Sequence, residues 1–387
     1  DIVTVEAEAR AEVHNIAEML LTCAPMGYAS MYGQYEGLLA SCMKRRALIE
    51  TAKALLADAN NPAADPDALA STAIDTLRCS DTVTESVTME QALYEFIGQL
   101  GKAKENRCMS GIAALDRITG GWRAGQYIAV GARPGVGKSA FGLYAAVNIA
   151  RTRGPVLLVS LEMMPDEIVA RQASAESGVD GQNINTGNLD EEAYIRLAQT
   201  YPDIAQLPIR INNRARTPLQ IRREAVRMKY GGGLAAVVID YIGLMDSDRP
   251  SGSRYERYSD ISRELKILAV DIGVPFLILT QFNRNSEAGK MNVKRPPTMS
   301  DARDTGSIEQ DANQFIILHS PEDAPEAKPG NEQWECYCLC ERKGWTRQWM
   351  IVEKNRGGKK GMATVGFDAS HMRYYTMEGG HEEANTY

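Results

Sequence analysis

The run Gly131-Ala132-Arg133-Pro134-Gly135-Val136-Gly137-Lys138-Ser139 follows a β-rich stretch, Gln126 to Val130, and leads straight into an apolar helical pattern at Ala140, Phe141, Leu143 and Ala145. Strand, glycine loop, Lys-Ser and helix is the order that a phosphate site needs. Glycines allow the tight turn that aims backbone N–H groups at phosphate oxygens, and the positive end of the helix adds to the field. The candidate nucleotide loop is therefore Arg133, Pro134, Gly135, Val136, Gly137, Lys138, Ser139 and Ala140. Lys138 is the expected partner of the β- and γ-phosphates of a triphosphate, and Ser139 the expected ligand of Mg²⁺. Ala132 stands where the general pattern has glycine.

Further chemistry sits where apolar runs end. Val156 to Leu161 ends at Glu162, which reads either as the acceptor of a proton from an attacking water or as an ordinary acid at a helix start. Ala235 to Ile239 ends at Asp240, placed as a second anchor for Mg²⁺ or as a strand-end turn residue. Phe276 to Thr280 ends at Gln281, a candidate for orienting water or sensing the γ-phosphate, or a capping amide. Met350 to Glu353 ends at Lys354 and Arg356, with Gly357 and Gly358 behind them. A cation pair on a tight turn suits insertion into a neighbour's site, and equally suits a solvated surface.

These residues need a sheet to gather them. From about Cys108 short β-rich runs alternate with helical stretches: Tyr127 to Val130, Val156 to Ser160, Ile209 to Ile211, Ala235 to Ile239, Pro275 to Thr280 and Gln314 to Leu318. Alternation of this kind predicts an α/β fold with a mainly parallel sheet flanked by helices. Residues 1–60 read as helical, with Leu38, Leu39, Cys42, Leu48, Ile49, Ala52, Leu55 and Leu56 at helical spacing, and Asn60-Asn61-Pro62 breaks the pattern. A short helix is expected over Asp67 to Leu77, a linker over Ser80 to Thr84, and a capping box at Thr88 and Gln91 opening a helix through Ile97. The domain plan is thus 1–60 as a helical N-terminal remnant, 61–104 as linker, 105–378 as the α/β domain and 379–387 as a loose tail. Pro321 to Gln333 reads as a surface loop. The chain begins at Asp1, which points to residues missing in front.

Length and composition bound the class. The 387 residues suggest two or three domains at about 150 residues each. Hydrophobic residues at 44% and charged residues at 24% argue against wholesale disorder. No apolar run approaches a membrane span, and a membrane partner is not expected. With 43 basic and 50 acidic residues the net charge is −7, which excludes a uniformly basic nucleic-acid binder. Two local clusters remain, Leu207 to Lys229 and Arg342 to Lys360, each with seven basic residues and one acid. Seven scattered cysteines argue against a disulfide scaffold and fit a reducing cytoplasm. Cys336-Tyr337-Cys338-Leu339-Cys340, inside a stretch from Trp334 to Trp349 that reads as strand, would put three thiols on one strand face. That is a buried face or the seed of a metal site.

Taken in order, these motifs resemble the ATPase domain of DnaB-type hexameric replicative helicases. Ala132-Arg133-Pro134 before Gly137-Lys138-Ser139 is similar to that family's own departure from the general loop. Ser160-Leu161-Glu162-Met163 resembles its catalytic glutamate segment, and Ile239-Asp240-Tyr241-Ile242-Gly243-Leu244-Met245 its metal strand. Thr280-Gln281-Phe282-Asn283-Arg284 resembles its sensor, and Lys354-Asn355-Arg356 its inserted lysine and arginine finger. The longest match runs from Arg295-Pro296 to Ser300-Asp301 and then Gly306-Ser307-Ile308-Glu309-Gln310-Asp311-Ala312. The resemblance covers roughly residues 105–375.

It implies a RecA-like core that assembles as a homo-hexameric ring with ATP and Mg²⁺ between subunits. Such a ring encircles single-stranded DNA and moves 5′ to 3′, served by a helicase loader and a primase in the cytoplasm of a bacterium or of a phage's host. It implies Lys138, Glu162, Gln281, Lys354 and Arg356 as catalytic residues and Ser139 and Asp240 as metal ligands. DNA contacts fall near Asp246 to Tyr258, with Arg254, and at Arg303, Asp304 and Gly306. The helix near Asp67 to Leu77 resembles the linker helix that packs on a neighbouring ATPase domain. Asp301-Ala302-Arg303-Asp304-Thr305 departs from the family's Leu-Arg-Glu-Ser wording. Two rival readings share the phosphate loop: a RecA-like recombination ATPase that forms filaments, and a ring scaffold that binds ATP without translocating.

Overall fold

A computed structural model describes residues 32–61, 87–100, 107–248, 253–282, 296–298, 306–321, 331–378 and 381–384. The chain divides into two compact units, Asp1–Leu100 and Gly101–Tyr387. The first contains helix α1 (Tyr32–Ala59) and helix α2 (Met89–Leu100). Helix α1 stops at the expected breaker, where the Asn60 side chain donates to the Leu56 carbonyl at 2.8 Å. The capping box is also present: Thr88 N–H donates to Gln91 Oε1 at 2.9 Å, and Gln91 N–H to Thr88 Oγ1 at 3.2 Å. The helix expected over Asp67 to Leu77 and the linker at Ser80 to Thr84 lie outside the described residues.

The second unit runs α3 (Ala113–Thr119), β1 (Tyr127–Ala132), α4 (Lys138–Arg153), β2 (Val156–Ser160), α5 (Pro165–Ser177), α6 (Gly181–Thr186), α7 (Glu191–Ala205), β3 (Ile209–Asn212), α8 (Pro218–Gly231), β4 (Ala236–Asp240), α9 (Arg254–Ile272), β5 (Phe276–Gln281), α10 (Gly306–Asp311), β6 (Gln314–His319), α11 (Glu332–Lys343), β7 (Thr346–Asn355), β8 (Gly361–Asp368), β9 (Arg373–Glu378) and β10 (His381–Ala384). All ten strands form one sheet in the order β10-β9-β8-β7-β6-β1-β5-β4-β2-β3. The six strands from β3 to β6 are parallel. The four from β7 to β10 extend the sheet antiparallel. The expected mainly parallel core is present, and each of the six alternating strands expected between Tyr127 and Leu318 lies within a residue or two of its place.

Two-sided burial explains the apolar runs. Along β1, Ile128, Val130 and Ala132 enter one core with Phe141 and Ile149 of α4, while Tyr127 and Ala129 enter a second core with Ile221 of α8 and Leu265 of α9. β5 splits the same way, with Leu277 and Leu279 on the first face and Phe276 and Ile278 on the second. Glycine meets a packing demand at Gly131, where a Cβ would lie 2.5 Å from the Phe282 ring.

Three expectations change. Cys336 to Cys340 lies in helix α11, not on a strand. The alternating cysteines stand at helical i and i+4, so Cys336 and Cys340 Sγ meet at 3.9 Å while Cys338 is turned away. Among the described residues no three metal-ligating side chains cluster, so a thiolate metal site there has no support. The expected loop ending at Gln333 gives way to helix at Glu332, with Asn331 as its N-cap. The tail from Gly379 is not wholly loose, because His381–Ala384 pairs with β9. Among the described residues no helix is long and apolar enough to cross a membrane.

Candidate functional site

Parallel strands all leave the sheet at the same end, so the loops after β1, β2, β4 and β5 converge. Ser160 pairs with Asp240, Val130 with Leu279 and Ala132 with Gln281, which aligns those ends side by side. The loop after β1 turns through Gly135 at φ +81° and Gly137 at φ +94°, a left-handed region open to glycine. Gly137 is also the N-cap of α4, and Phe141 N–H donates to its carbonyl at 3.0 Å. The loop therefore ends on a helix whose free N–H groups face outward.

Lys138 is only 8% exposed and Asp240 only 4%. The Lys138 ammonium pairs directly with Asp240 Oδ1, reaches Glu162 Oε2 at 3.4 Å and lies 4.4 Å from the centre of the Tyr241 ring. Asp240 is fixed from behind, since Leu161 N–H donates to its carbonyl at 2.7 Å. Ser160 Oγ donates to the Met163 carbonyl at 3.0 Å, closing the turn that carries Glu162. Ser139 and Asp240 line one small cavity together with Ser160, Gly142 and Leu279. A hydroxyl and a carboxylate facing one space are a donor set that suits a hard divalent cation. Gln281 closes β5 one strand away from Asp240. Five of the expected residues, Lys138, Ser139, Glu162, Asp240 and Gln281, thus occupy one edge.

Lys354 and Arg356 do not. β7 is antiparallel, and its end pairs with the start of β6: Asn355 stands opposite Gln314. Arg356 N–H donates to the Asn313 carbonyl at 2.9 Å, and Asn313 N–H to the carbonyl of Tyr127, the first residue of β1, at 2.8 Å. The phosphate loop leaves β1 five residues further on, about 17 Å at strand rise. The cation pair and the phosphate loop of one chain therefore lie at opposite ends of β1. Lys354 Nζ donates to the carbonyls of Glu309 and Gln310 at 2.6 and 3.2 Å, and Arg356 Nη2 to Gln310 O at 2.9 Å.

Of the expected DNA residues, Gly306 opens α10 and Arg254 opens α9. Arg303 and Asp304 lie outside the described residues, as do Asn283 and Arg284.

Residues not singled out in the sequence also shape the site. Gln348, 1% exposed on β7, donates its side-chain N–H to the Val136 carbonyl and pins the phosphate loop from the antiparallel side. A Cβ on Gly137 would sit 3.2 Å from that same nitrogen. The sequence signal for Gln348 is an amide between Arg347 and the apolar run Trp349 to Val352. His319, 6% exposed at the end of β6, packs against Trp349 with ring centres 5.6 Å apart. Burial, and then the charges of Arg133 and Arg347, push its pKa down to about 4.

Comparison with known proteins adds the family. Residues 108–376 match the DnaB-like helicase C terminal domain. The chain is 33% identical over 293 residues to the replicative DNA helicase DnaC of Bacillus subtilis, covering 74% of this chain and 60% of that one. It is 29% identical over 375 residues to the replicative DNA helicase DnaB of Leifsonia xyli subsp. xyli, covering 94% of this chain and 77% of that one. The chain thus spans about 60% of the length of the Bacillus relative. A solved DnaB-like replicative helicase, described together with its interactions with primase, shares the fold at TM-score 0.71 and 23% identity, over 97% of this chain and 87% of that one.

Proposed function

The chain belongs to the DnaB-like helicase family through residues 108–376, and on that premise we propose that it is an ATP-driven replicative DNA helicase. The observation that carries this reading is the meeting of Lys138 and Ser139, at the start of the loop helix, with Glu162 and Asp240, at the ends of the neighbouring strands β2 and β4. Lys138 exchanges its two carboxylate partners for the β- and γ-phosphates. Glu162, whose side chain is 46% exposed and meets Lys138 at 3.4 Å, is then free to accept a proton from water. Gln281 contacts the γ-phosphate and passes its presence toward the DNA loops. Ser139 and Asp240 would hold Mg²⁺, which would supply charge neutralisation of the phosphates.

The position of Arg356 and Lys354, a strand length away from their own phosphate loop, supports service in a neighbouring subunit's site. That arrangement requires a ring or filament, and the homo-hexameric ring is the form proposed. DNA is followed by its backbone, through Arg254, Arg303, Asp304 and Gly306, with 5′ to 3′ movement. A primase and a loader are the proposed partners, and the cytoplasm of a bacterium or of a phage's host the proposed place. The domain plan keeps its expected borders, 1–60, 61–104, 105–378 and 379–387. The linker helix proposed to pack on a neighbouring ATPase domain is the one expected over Asp67 to Leu77, while helix α2, later in the proposed linker region, carries the exposed apolar side chains Leu93, Tyr94, Phe96 and Ile97.

Steady-state ATP hydrolysis with and without single-stranded DNA tests the reading, with Lys138→Ala as the blank. DNA stimulation that disappears in the blank, and unwinding of a fork with a 5′ tail, are expected. Hydrolysis indifferent to DNA, or unwinding only from a 3′ tail, overturns it. Filaments instead of closed rings in negative-stain images turn the assignment to a recombination ATPase.

A further inference from the structure

Three cations gather where β6 begins and β7 ends: Lys354, Arg356 and, from helix α9, Lys266. Lys266 Nζ donates to Asn313 Oδ1 at 2.6 Å and to the Gly125 carbonyl at 3.1 Å. Asn313 is the hub. Its side-chain oxygen also accepts from Tyr127 N–H at 2.9 Å, its N–H donates to Tyr127 O at 2.8 Å, and its carbonyl accepts from Arg356 N–H at 2.9 Å. One residue therefore ties the first residue of β1, helix α9 and the turn that carries Arg356.

The other half of the mount is the end of α10. Its last carbonyls have no partner within the helix, so they accept from outside. Lys354 takes Glu309 O and Gln310 O, and Arg356 takes Gln310 O. Every one of these acceptors is a neutral carbonyl or amide oxygen. Neutral oxygens hold the cations in place without cancelling their charge. Burial, and then the Arg356 charge, lowers the pKa of both Lys266 and Lys354, against an opposing pull from Asp311 on Lys266 and from Glu309 and then Asp311 on Lys354. Three positive charges held together in this way favour an incoming anion.

We propose that Lys266 and Asn313 are positioning residues for the finger, Lys266 acting through Asn313 to set the angle at which Arg356 and Lys354 leave the sheet toward the neighbour's triphosphate. The inference rests on the reading of Lys354 and Arg356 as a pair that works in trans. Lys266 acts at a distance from the phosphates. It braces the hub from the helix side, while α10 braces the cations from the other. Loss of the brace misplaces the guanidinium, and a misplacement of about 1 Å is enough to slow a reaction by one to two orders of magnitude.

The test is Lys266→Met, which keeps the aliphatic stem and removes the donor. Turnover of ATP in the presence of single-stranded DNA is expected to fall roughly ten-fold, with KM and ADP affinity within about two-fold of the parent. Lys266→Arg, which keeps a donor for Asn313, is expected to recover part of the rate. Mixed rings decide between trans and cis. Lys138→Ala subunits are inactive alone but carry an intact finger, so co-assembly with Lys266→Met subunits is expected to restore hydrolysis at the shared sites. Turnover of Lys266→Met equal to the parent overturns the proposal, and so does a loss that mixing does not restore. If Lys266→Met fails to fold, Asn313→Ala in the same mixing experiment carries the same two outcomes. Full turnover in Arg356→Ala would instead sink the trans-finger reading itself, which separates the two failures.

Discussion

Asp240→Asn is the sharpest probe of the site, because it removes one charge from a buried pair and leaves the other behind. Lys138 and Asp240 are 8% and 4% exposed and in direct contact. After the change, the ammonium's partners among the described residues are Glu162, at 3.4 Å and on a side chain 46% exposed, and the Tyr241 ring. Breaking a buried pair costs about 3–5 kcal/mol, and the surviving partners bring that down to about 3 kcal/mol. For a domain of this size the unfolding midpoint is expected to drop by roughly 6–12 °C. ADP phosphates give Lys138 a new partner, so saturating ADP is expected to close at least half of the gap. Thermal unfolding in chelator, with and without ADP, measures both numbers and keeps divalent ions out of the comparison. Glu162→Gln is the control, expected to change stability by less than about 1 kcal/mol, since its partner contact is long and wet. A midpoint within about 2 °C of the parent without nucleotide would refute the reasoning, because Lys138 would then not depend on Asp240.

Arg356→Ala is expected to abolish turnover while nucleotide binding, followed by a fluorescent analogue, stays within about two-fold. Gln348→Leu removes the donor to the Val136 carbonyl and leaves a buried acceptor unpaired, so ADP affinity measured by calorimetry is expected to fall roughly ten-fold; an unchanged affinity shows that the loop holds its shape alone. Gly131→Ala forces a methyl group to within 2.5 Å of the Phe282 ring and is expected to cost about 1–3 kcal/mol in urea unfolding. His319 has a folded pKa pushed down to about 4 from 6.5. Between those values the unfolded chain binds the extra proton, so stability present above pH 6.5 is lost as the pH falls toward 4. His319→Phe is expected to flatten that acid slope in a series of urea titrations, and an identical slope in both proteins removes His319 as its source.

Much of the site was legible before any coordinates. Glycines before Lys138 and Ser139, and the acids or amide at Glu162, Asp240 and Gln281, each follow a short apolar run of the kind that a strand buried on both faces gives. Once those runs are parallel their ends must meet, so the linear order already implied the cluster. The cysteines show where such reading fails. Cys336, Cys338 and Cys340 alternate with period two, yet Asn331 caps a helix through them and Gly344 ends it at φ +69°. Five residues of alternating pattern cannot outweigh a cap at each end.

Local order thus determined which residues gather at the proposed phosphate site, because strand, loop and helix are contiguous there and the polar side chains lie within a few residues of each turn. Tertiary structure alone decided which end of the sheet each charge occupies. Lys354 and Arg356 are read as strand-end residues like Asp240, but the antiparallel pairing of β7 with β6 carries them to the far end of β1. Likewise Gln348 meets Val136 across 212 residues, and Lys266 meets Asn313 across 47. Strand direction and long-range pairing leave no mark on local composition, since an apolar run buries its side chains equally well whichever way it points.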